Sequence, residues 1–119
     1  MIDISDIVAA GGLVELGEGE FIISRLVSPP KSKSLKLTGK GPARTNVHVA
    51  AGAGIVLAGA PLPSGAIQNV SYWEISQLTL DGDGNAATAI KLDCATQGLI
   101  SRVLFIDFKG CAIDGKQFW

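Results

Sequence analysis

Short runs in which apolar and polar residues alternate recur along the chain and predict β-strands. The runs Leu35–Leu37 and Leu78–Leu80 show the pattern most plainly, and glycines interrupt the alternation soon after each. Alternation with a period of two places the apolar side chains of a strand on one face. Helical spacing is confined to Ile4–Ala10, where Asp3 or Ser5 can cap the first turn. The pattern predicts an all-β protein with one short helix near its start.

The chain also repeats itself. The segment Leu35–Val49 aligns without a gap on Leu78–Leu92, 43 residues later, and the alignment superimposes the GxG elements Gly39–Gly41 and Gly82–Gly84. Regular self-similarity is the signature of a repeat architecture. Because the GxG elements repeat together with the strands, we interpret them as corners between strands, where glycine allows positive φ.

A shorter repeat has a different offset. Ile75–Leu80 aligns on Ile100–Phe105, 25 residues later, and an earlier copy begins at Val14. Offsets of this size suit one coil of a solenoid whose strands stack about 4.8 Å apart. The sequence therefore predicts a right-handed parallel β-helix with a short N-terminal capping helix. A β-sandwich also suits short alternating strands, but it does not explain an ungapped repeat.

The repeats define an expected register and domain organisation. Residues 1–12 are expected to form the cap and residues 13–119 the first coils, with an insertion at about 50–69 and a continuation beyond 119. Inward side chains of successive coils should form columns. The predicted columns are Val14, Leu35, Leu78 and Val103; Leu16, Leu37, Leu80 and Phe105; and Val47, Ile90 and Ile113.

Composition excludes several classes of protein. Hydrophobic residues make up 47% of the chain and charged residues 18%, which is incompatible with disorder. The net charge is −1 and lysines and arginines are not clustered, so we expect no nucleic-acid partner. The apolar segment Val47–Ala60 is too short to cross a bilayer, so no membrane insertion is expected. Cys94 and Cys111 fit no metal-binding spacing and are expected to be small buried side chains.

Three segments resemble the pectate-lyase-like right-handed parallel β-helix superfamily. These are GGLVELGEGEFIIS (Gly11–Ser24), LKLTGKGPART (Leu35–Thr45) and ISQLTLDGDGN (Ile75–Asn85). The family usually has a proline near Gly17–Gly19 and a longer leading helix than Met1–Ala10. The superfamily includes phage tailspikes and capsule depolymerases, together with bacterial pectin- and alginate-modifying enzymes.

The resemblance implies a phage tailspike-like module that recognises, and in its catalytic form degrades, a bacterial surface polysaccharide. Such a protein would be made in the host cytoplasm and carried in the virion, as a homotrimer or as part of a longer chain. One alternative is a bacterial polysaccharide lyase, hydrolase or epimerase, secreted by a non-classical route. Another is a structural virion module without catalysis.

Polysaccharide chemistry directs attention to the carboxylates. Hydrolysis requires two carboxyl groups, and lyase chemistry requires a base, often with Ca²⁺. Asp81, Asp107 and Asp114 are the candidate catalytic residues, and Asp81 and Asp83 are the candidate Ca²⁺ ligands. The alternative for Asp81 and Asp83 is a turn in which their side chains accept backbone N–H groups. No cofactor is evident otherwise, and Ca²⁺ is implied only for a lyase.

Carbohydrate contacts are sought among aromatic and basic residues, because aromatic rings pack on the apolar faces of sugars. Tyr72, Trp73 and Arg102 are the candidates, and packing of Tyr72 and Trp73 onto the body of the protein is the alternative. His48 aligns with Lys91 and Asp114, which places it on the outward face. We therefore expect a lone exposed histidine there and not a general base.

Overall fold

The computed structural model describes residues 1–30, 32–61, 63–64 and 66–118, so Trp119 lies outside the described residues. Strands, nearly all of them parallel, make up about half of the described chain, and one helix, α1 (Ser5–Ala10), lies near its start. The strands are β1 (Ile2–Asp3), β2 (Leu13–Glu15), β3 (Gly19–Ile23), β4 (Leu26–Val27), β5 (Lys36–Thr38), β6 (Thr45–Val49), β7 (Gly54–Ala58), β8 (Ala60–Pro61), β9 (Ile67–Gln68), β10 (Val70–Ser71), β11 (Glu74–Asp81), β12 (Ile90–Thr96), β13 (Leu99–Ile106) and β14 (Ile113–Phe118).

The described strands form two parallel sheets. The first sheet has the order β1-β3-β6-β11-β5-β2, with β13 on the other side of β11. The second has the order β10-β12-β7-β4, with β14 on the other side of β12, and β8 and β9 form a separate antiparallel pair. Because β11 and β12 each lie between earlier and later strands, they form the centre of the structure.

Strand β11 is long because it pairs with two earlier strands in turn. Its first half pairs with β5 through Glu74–Ser76, and its second half pairs with β6 through Thr79–Asp81. Between the halves, Gln77 has a φ of 60°, and Arg102 at the matching place in β13 has a φ of 54°. Positive φ is uncommon for residues other than glycine. Because of this bend, the side chains of β11 that point into the core are three residues apart across the bend and two residues apart after it.

A single core connects the two sheets. Its fully buried members come from strands of both sheets, including β11, and from α1, which adds Val8. The largest fully buried side chains are Ile4, Ile23, Leu35, Leu37, Ile55, Leu57, Ile75, Leu78, Leu80 and Ile90. On the β13 and β14 side the core is less covered, because Val103 and Phe105 are partly buried and Ile113 is exposed.

The predicted fold class, a right-handed parallel β-helix solenoid, is wrong. The described residues form a small structure of two parallel sheets, 44 × 27 × 23 Å, in which no long solenoid of coils is present. The predicted short helix is present as Ser5–Ala10, and Gly11 follows it with a φ of 75°. Ile4 occupies the N-cap position and makes no capping hydrogen bond with its side chain, but the carboxylate of Asp3 accepts the N–H of Ser5 at the start of the helix.

The two repeats of the sequence have different outcomes. The 25-residue repeat is confirmed, since β11 and β13 pair in that register, with Leu78 opposite Val103 and Leu80 opposite Phe105. The pair Ile90 and Ile113 in the third predicted column is also confirmed. The 43-residue register is wrong, since Leu80 lies opposite Val47 in β6.

The first predicted column fails for the same reason. Leu37 lies opposite Val14 and Ile75, so that Leu35 is not stacked between Val14 and Leu78. The physical cause is that two similar turns occur at different corners. Gly41 N donates to the carbonyl oxygen of Gln77, and Gly84 N donates to that of Asp107. The 43-residue repeat therefore reflects two similar turns and does not show which strands lie next to each other.

The expected insertion at 50–69 contains part of the second sheet. Gly54–Ala58 pairs with both β4 and β12. The antiparallel pair of Ala60–Pro61 with Ile67–Gln68 lies outside the two sheets, and Leu62 and Gly65 lie outside the described residues.

The N-terminal segment is tied to β3 and its following turn through Asp3. Its carboxylate accepts hydrogen bonds from Ser5 N (2.9 Å) and from Ser24 Oγ (2.6 Å). The hydrogen bond from Ser24, followed by those from Ser5, lowers the pKa of Asp3 from 3.8 to about 2. A depressed carboxyl pKa stabilises the fold above the unfolded pKa, and this contribution is lost as the pH falls through the folded value.

We expect Asp3→Asn to lower the urea midpoint of unfolding at pH 6, and we expect the difference from the wild type to shrink as the pH falls from 3.8 towards 2. Intrinsic tryptophan fluorescence in urea series at several pH values measures it. Asp107→Asn is the control, because Asp107 is also exposed but lies at another corner. A difference that stays constant across the range would show that the charge of Asp3 is not involved.

Candidate functional site

A cluster of charged side chains surrounds His48 on the outer face of the first sheet. His48 lies in β6 between Val47 and Val49, whose side chains are buried, so the alternation of the strand turns the imidazole outward. The register places Ile22 and Asp81 beside it on the two neighbouring strands. Strand pairing alone therefore brings a carboxylate next to the histidine.

Two further carboxylates face the imidazole. Nδ1 of His48 lies 2.8 and 3.0 Å from the two carboxylate oxygens of Asp83, and Nε2 lies 3.5 Å from Oε1 of Glu20. Asp83 reaches the ring because it sits at a corner with a φ of 52°, where its N–H donates to Oδ1 of Asp81 (2.8 Å). One ligand atom from each of His48, Asp81 and Asp83 lies within 4.8 Å of the others.

The surroundings of His48 favour its protonated form. Burial acts to lower the pKa of His48, but the hydrogen bond to Asp83, the charge of Asp83 and the contact with Glu20 outweigh it, so the pKa is raised above 6.5. The side chain is only 15% exposed, which reduces the screening of these charges by water. A raised histidine pKa stabilises the fold at low pH, and this contribution disappears as the pH rises through the raised value.

The cluster contains one predicted feature and one that the sequence analysis missed. The turn in which Asp81 accepts the backbone N–H of Asp83 is present. His48 was expected to be a lone exposed histidine, and this expectation is wrong because the ring is largely buried between carboxylates. The site could have been predicted from the pairing of His48 with Asp81. The 43-residue alignment instead paired His48 with Lys91.

A second candidate site is an open groove of about 240 Å³ on the outer face of the second sheet. Val56, Lys91 and Asp114 are neighbours across the strands β7, β12 and β14. Among the described residues, its lining is Val56, Ala58, Lys91, Leu92, Asp93 and Asp114. These residues combine an apolar floor with one cation and two carboxylates.

Only one of the predicted catalytic residues lies in this groove. Asp114 lines it, whereas Asp81 belongs to the cluster around His48 and Asp107 is exposed at a corner that follows β13, with a φ of 55°. The structure therefore does not bring the three predicted carboxylates together. Sequence reasoning did not select Lys91 or Asp93, whose place in the groove depends on the register of the second sheet.

The predicted carbohydrate contacts are also separated. Tyr72 is 64% exposed at a turn, whereas Trp73 is 7% exposed and belongs to the core. The ring of Trp73 packs so closely on Gly98 that a Cβ there would lie 1.9 Å from it. Trp73 therefore fits the packing alternative and not a sugar platform. Arg102 is exposed at the bend of β13, outside the groove.

The cysteines differ from the expectation in one respect. Cys94 is buried, as expected, and its Sγ lies 3.6 Å from Oδ1 of Asp93. Cys111 is exposed, so the expectation that it is a buried hydrophobe is wrong. In the part of the chain that the structure describes, no helix is long and apolar enough to span a membrane.

Comparison of the chain with protein-family models, with curated proteins and with solved structures found no match. The resemblance to the pectate-lyase-like superfamily therefore stays a prediction.

Proposed function

We propose that the chain is a polysaccharide-recognition module and that the groove of the second sheet binds one unit of a bacterial surface polysaccharide. The observation that carries the proposal is the placement of Lys91, Asp93 and Asp114 around the apolar side chains of Val56 and Ala58. Sugars present apolar C–H faces and hydroxyl edges. An apolar floor suits the faces, while carboxylates accept hydrogen bonds from hydroxyl groups and an ammonium group donates to them.

The size of the groove supports a single sugar unit. Its volume of about 240 Å³ is below the roughly 300–1,000 Å³ of pockets that enclose a whole small molecule. An open groove allows the rest of a long polymer to continue into solvent on both sides.

The setting that we propose is a phage virion, in which recognition of a surface polysaccharide would serve attachment, and the resemblance described above supports this setting. We also propose a homotrimer. Exposed apolar side chains on and near β13 and β14, among them Leu99 and Ile113, would be covered by such an assembly. Light scattering on the purified chain tests the assembly independently of binding.

A second candidate function, hydrolysis, is favoured by two carboxylates that line the same groove. Asp114 is the register partner of Lys91, and Asp93 lies two residues further along β12. Strand spacing and rise place the two backbone positions about 8 Å apart. Inverting glycosidases hold their two carboxyl groups about 6.5–9.5 Å apart, with one acid and one base. Asp93 and Asp114 are the residues that would take these roles.

We expect Lys91→Ala and Asp93→Asn to weaken polysaccharide binding at least tenfold, because each removes a polar contact from a small site. A panel of capsular polysaccharides, screened by affinity electrophoresis and followed by calorimetry on the polymer that binds, measures this. Lys109→Ala and Asp107→Asn are matched controls, since both side chains are exposed and neither lines the groove. Equal binding by groove variants and controls would contradict the proposal.

The same panel separates recognition from hydrolysis. Release of reducing ends that is lost in Asp93→Asn and Asp114→Asn, with binding retained in at least one of them, would support hydrolysis. Binding without release of reducing ends would support a recognition module that is not catalytic. Failure to bind any polymer in the panel would count against the proposed function as a whole.

A further inference from the structure

We propose that His48, Asp81 and Asp83 bind a divalent first-row transition metal ion, with Zn²⁺ as the representative ion. The site lies on the first sheet, whereas the groove lies on the second, so the proposal does not depend on polysaccharide binding. It rests on the convergence of three ligand side chains and on the position of Glu20 at the other nitrogen of the imidazole.

The ligand atoms of His48, Asp81 and Asp83 lie close together. His48 and Asp81 are register neighbours on β6 and β11, and the corner after β11 turns Asp83 back towards the imidazole. One nitrogen or oxygen atom from each residue lies within 4.8 Å of the others. Zn²⁺ binds such atoms at about 2.0–2.2 Å, which separates them by about 3.4 Å in a tetrahedral site. Small side-chain rotations are enough to close this difference.

The two nitrogens of His48 face different carboxylates. Nδ1 faces the carboxylate of Asp83, and Nε2 faces Glu20 at 3.5 Å. A metal ion would take the place of the proton at Nδ1, because a histidine ligand binds a metal through the lone pair of a deprotonated nitrogen. Nε2–H would then still donate to Glu20.

Glu20 would orient the ring of His48 without binding the metal itself. Histidines that bind metals commonly donate their second N–H to a carboxylate, which fixes the tautomer and the orientation of the ring. Glu20 reaches Nε2 from β3, on the side of β6 opposite to Asp81. With the metal at Nδ1, Glu20 would supply the carboxylate of a carboxylate–histidine–metal arrangement.

The ligand types select the kind of metal. Two carboxylates alone would suit Ca²⁺, which binds six to eight oxygen atoms, and Asp81 and Asp83 were candidate Ca²⁺ ligands from the sequence. The imidazole nitrogen of His48 shifts the preference towards ions such as Zn²⁺. Three protein ligands leave a fourth position for water or for a bound ligand, and Asp83 is on the exposed side of the cluster.

Calorimetric titration with ZnCl₂ tests the proposal on tag-free, chelator-treated protein. All variants carry Cys111→Ser, because the exposed Cys111 thiol could bind zinc by itself. We expect one site in the parent, an affinity at least tenfold weaker in His48→Gln and in Asp83→Asn, and a loss of about ten- to hundredfold in Glu20→Gln. Asp107→Asn, at the corresponding corner after β13, should bind as the parent does.

A second readout is available because His48 is the only histidine in the chain. Its ring signals in a heteronuclear NMR spectrum should move on addition of Zn²⁺ and should remain in place with equimolar Ca²⁺. If His48→Gln does not fold, as judged by circular dichroism, the exposed substitution Asp83→Asn and the ring signals decide the question. Zinc binding that is absent, or that is unchanged by Asp83→Asn with the ring signals unmoved, would overturn the proposal and leave the cluster as an ion pair.

Discussion

Replacing Gly39 with alanine is expected to lower the free energy of unfolding by about 3 kcal/mol or more, at the upper end of the usual cost of overpacking. A Cβ at this position would lie 2.4 Å from the carbonyl oxygen of Gln77 and 2.7 Å from Cβ of Thr45. Neither neighbour can move away freely. Gly39 N donates to the carbonyl oxygen of Ser76, and Gly41 N donates to that of Gln77, which ties the corner to β11.

Thr45 is fixed as firmly on the other side of the corner. It is fully buried, its hydroxyl donates to the carbonyl oxygen of Gly17 (2.8 Å), and the same hydroxyl accepts a hydrogen bond from Lys40 N (2.9 Å). A methyl group at Gly39 would therefore break hydrogen bonds that are buried together with Thr45. Breaking them adds to the steric cost, because a buried polar group without a partner costs about 1–3 kcal/mol.

The control for this substitution is Gly17→Ala. Apart from its two chain neighbours, no atom of the described residues lies within 4 Å of the position that a Cβ on Gly17 would take. We expect it to change the stability by no more than about 0.5 kcal/mol, as surface substitutions usually do. Urea denaturation followed by tryptophan fluorescence gives both values. Equal effects of the two substitutions would mean that the corner at Gly39 relaxes and that close packing does not explain its glycine.

The contrast between these glycines shows what the sequence could and could not predict about the fold. The GxG elements were interpreted as corners because glycine permits positive φ, and Gly41 and Gly84 do have positive φ. Gly39 is required for another reason, which is the close approach of β11. Close approach between distant segments depends on the register, and composition and periodicity do not determine the register.

Local patterns were informative where they described one strand or one adjacent pair. The alternation predicted β5 and the second half of β11, the 25-residue repeat predicted the pairing of β11 with β13, and the helical spacing predicted α1. The prediction of the fold class was wrong because it depends on how all of the strands pair. The bend at Gln77 allows one strand to pair with two earlier strands, and nothing in the alternation marks that residue as a bend.

The cluster around His48 could also be predicted only in part. Asp81 and Asp83 were recognised as candidate ligands, because short-range spacing of carboxylates is visible in the sequence. Their partners His48 and Glu20 come from strands 33 or more residues earlier. A shift of the register by a few residues changes which side chains are neighbours, so the site could be assembled only from the observed pairing.

Truncating Leu80 to alanine is expected to lower the free energy of unfolding by about 3 kcal/mol, within the range of 2–5 kcal/mol for buried leucines. Leu80 is fully buried in β11, between its register partners Val47 and Phe105. Val47 is itself held between Leu80 and Phe21, so it cannot collapse into the cavity. Phe105 is only partly buried and can move towards the space, which keeps the cost below the upper limit.

Leu104→Ala is the matched control for Leu80→Ala, because the neighbouring leucine is 47% exposed and lies on the outer side of β13 opposite Thr79. The truncation removes the same atoms from a position that is already half in water, so we expect a loss below about 1 kcal/mol. Since a domain of this size has a total stability of roughly 5–15 kcal/mol, the two variants should differ clearly in their urea midpoints. Similar midpoints would indicate that the core next to β13 is loosely packed, and that burial of Leu80 does not anchor β11 between the earlier strands and β13.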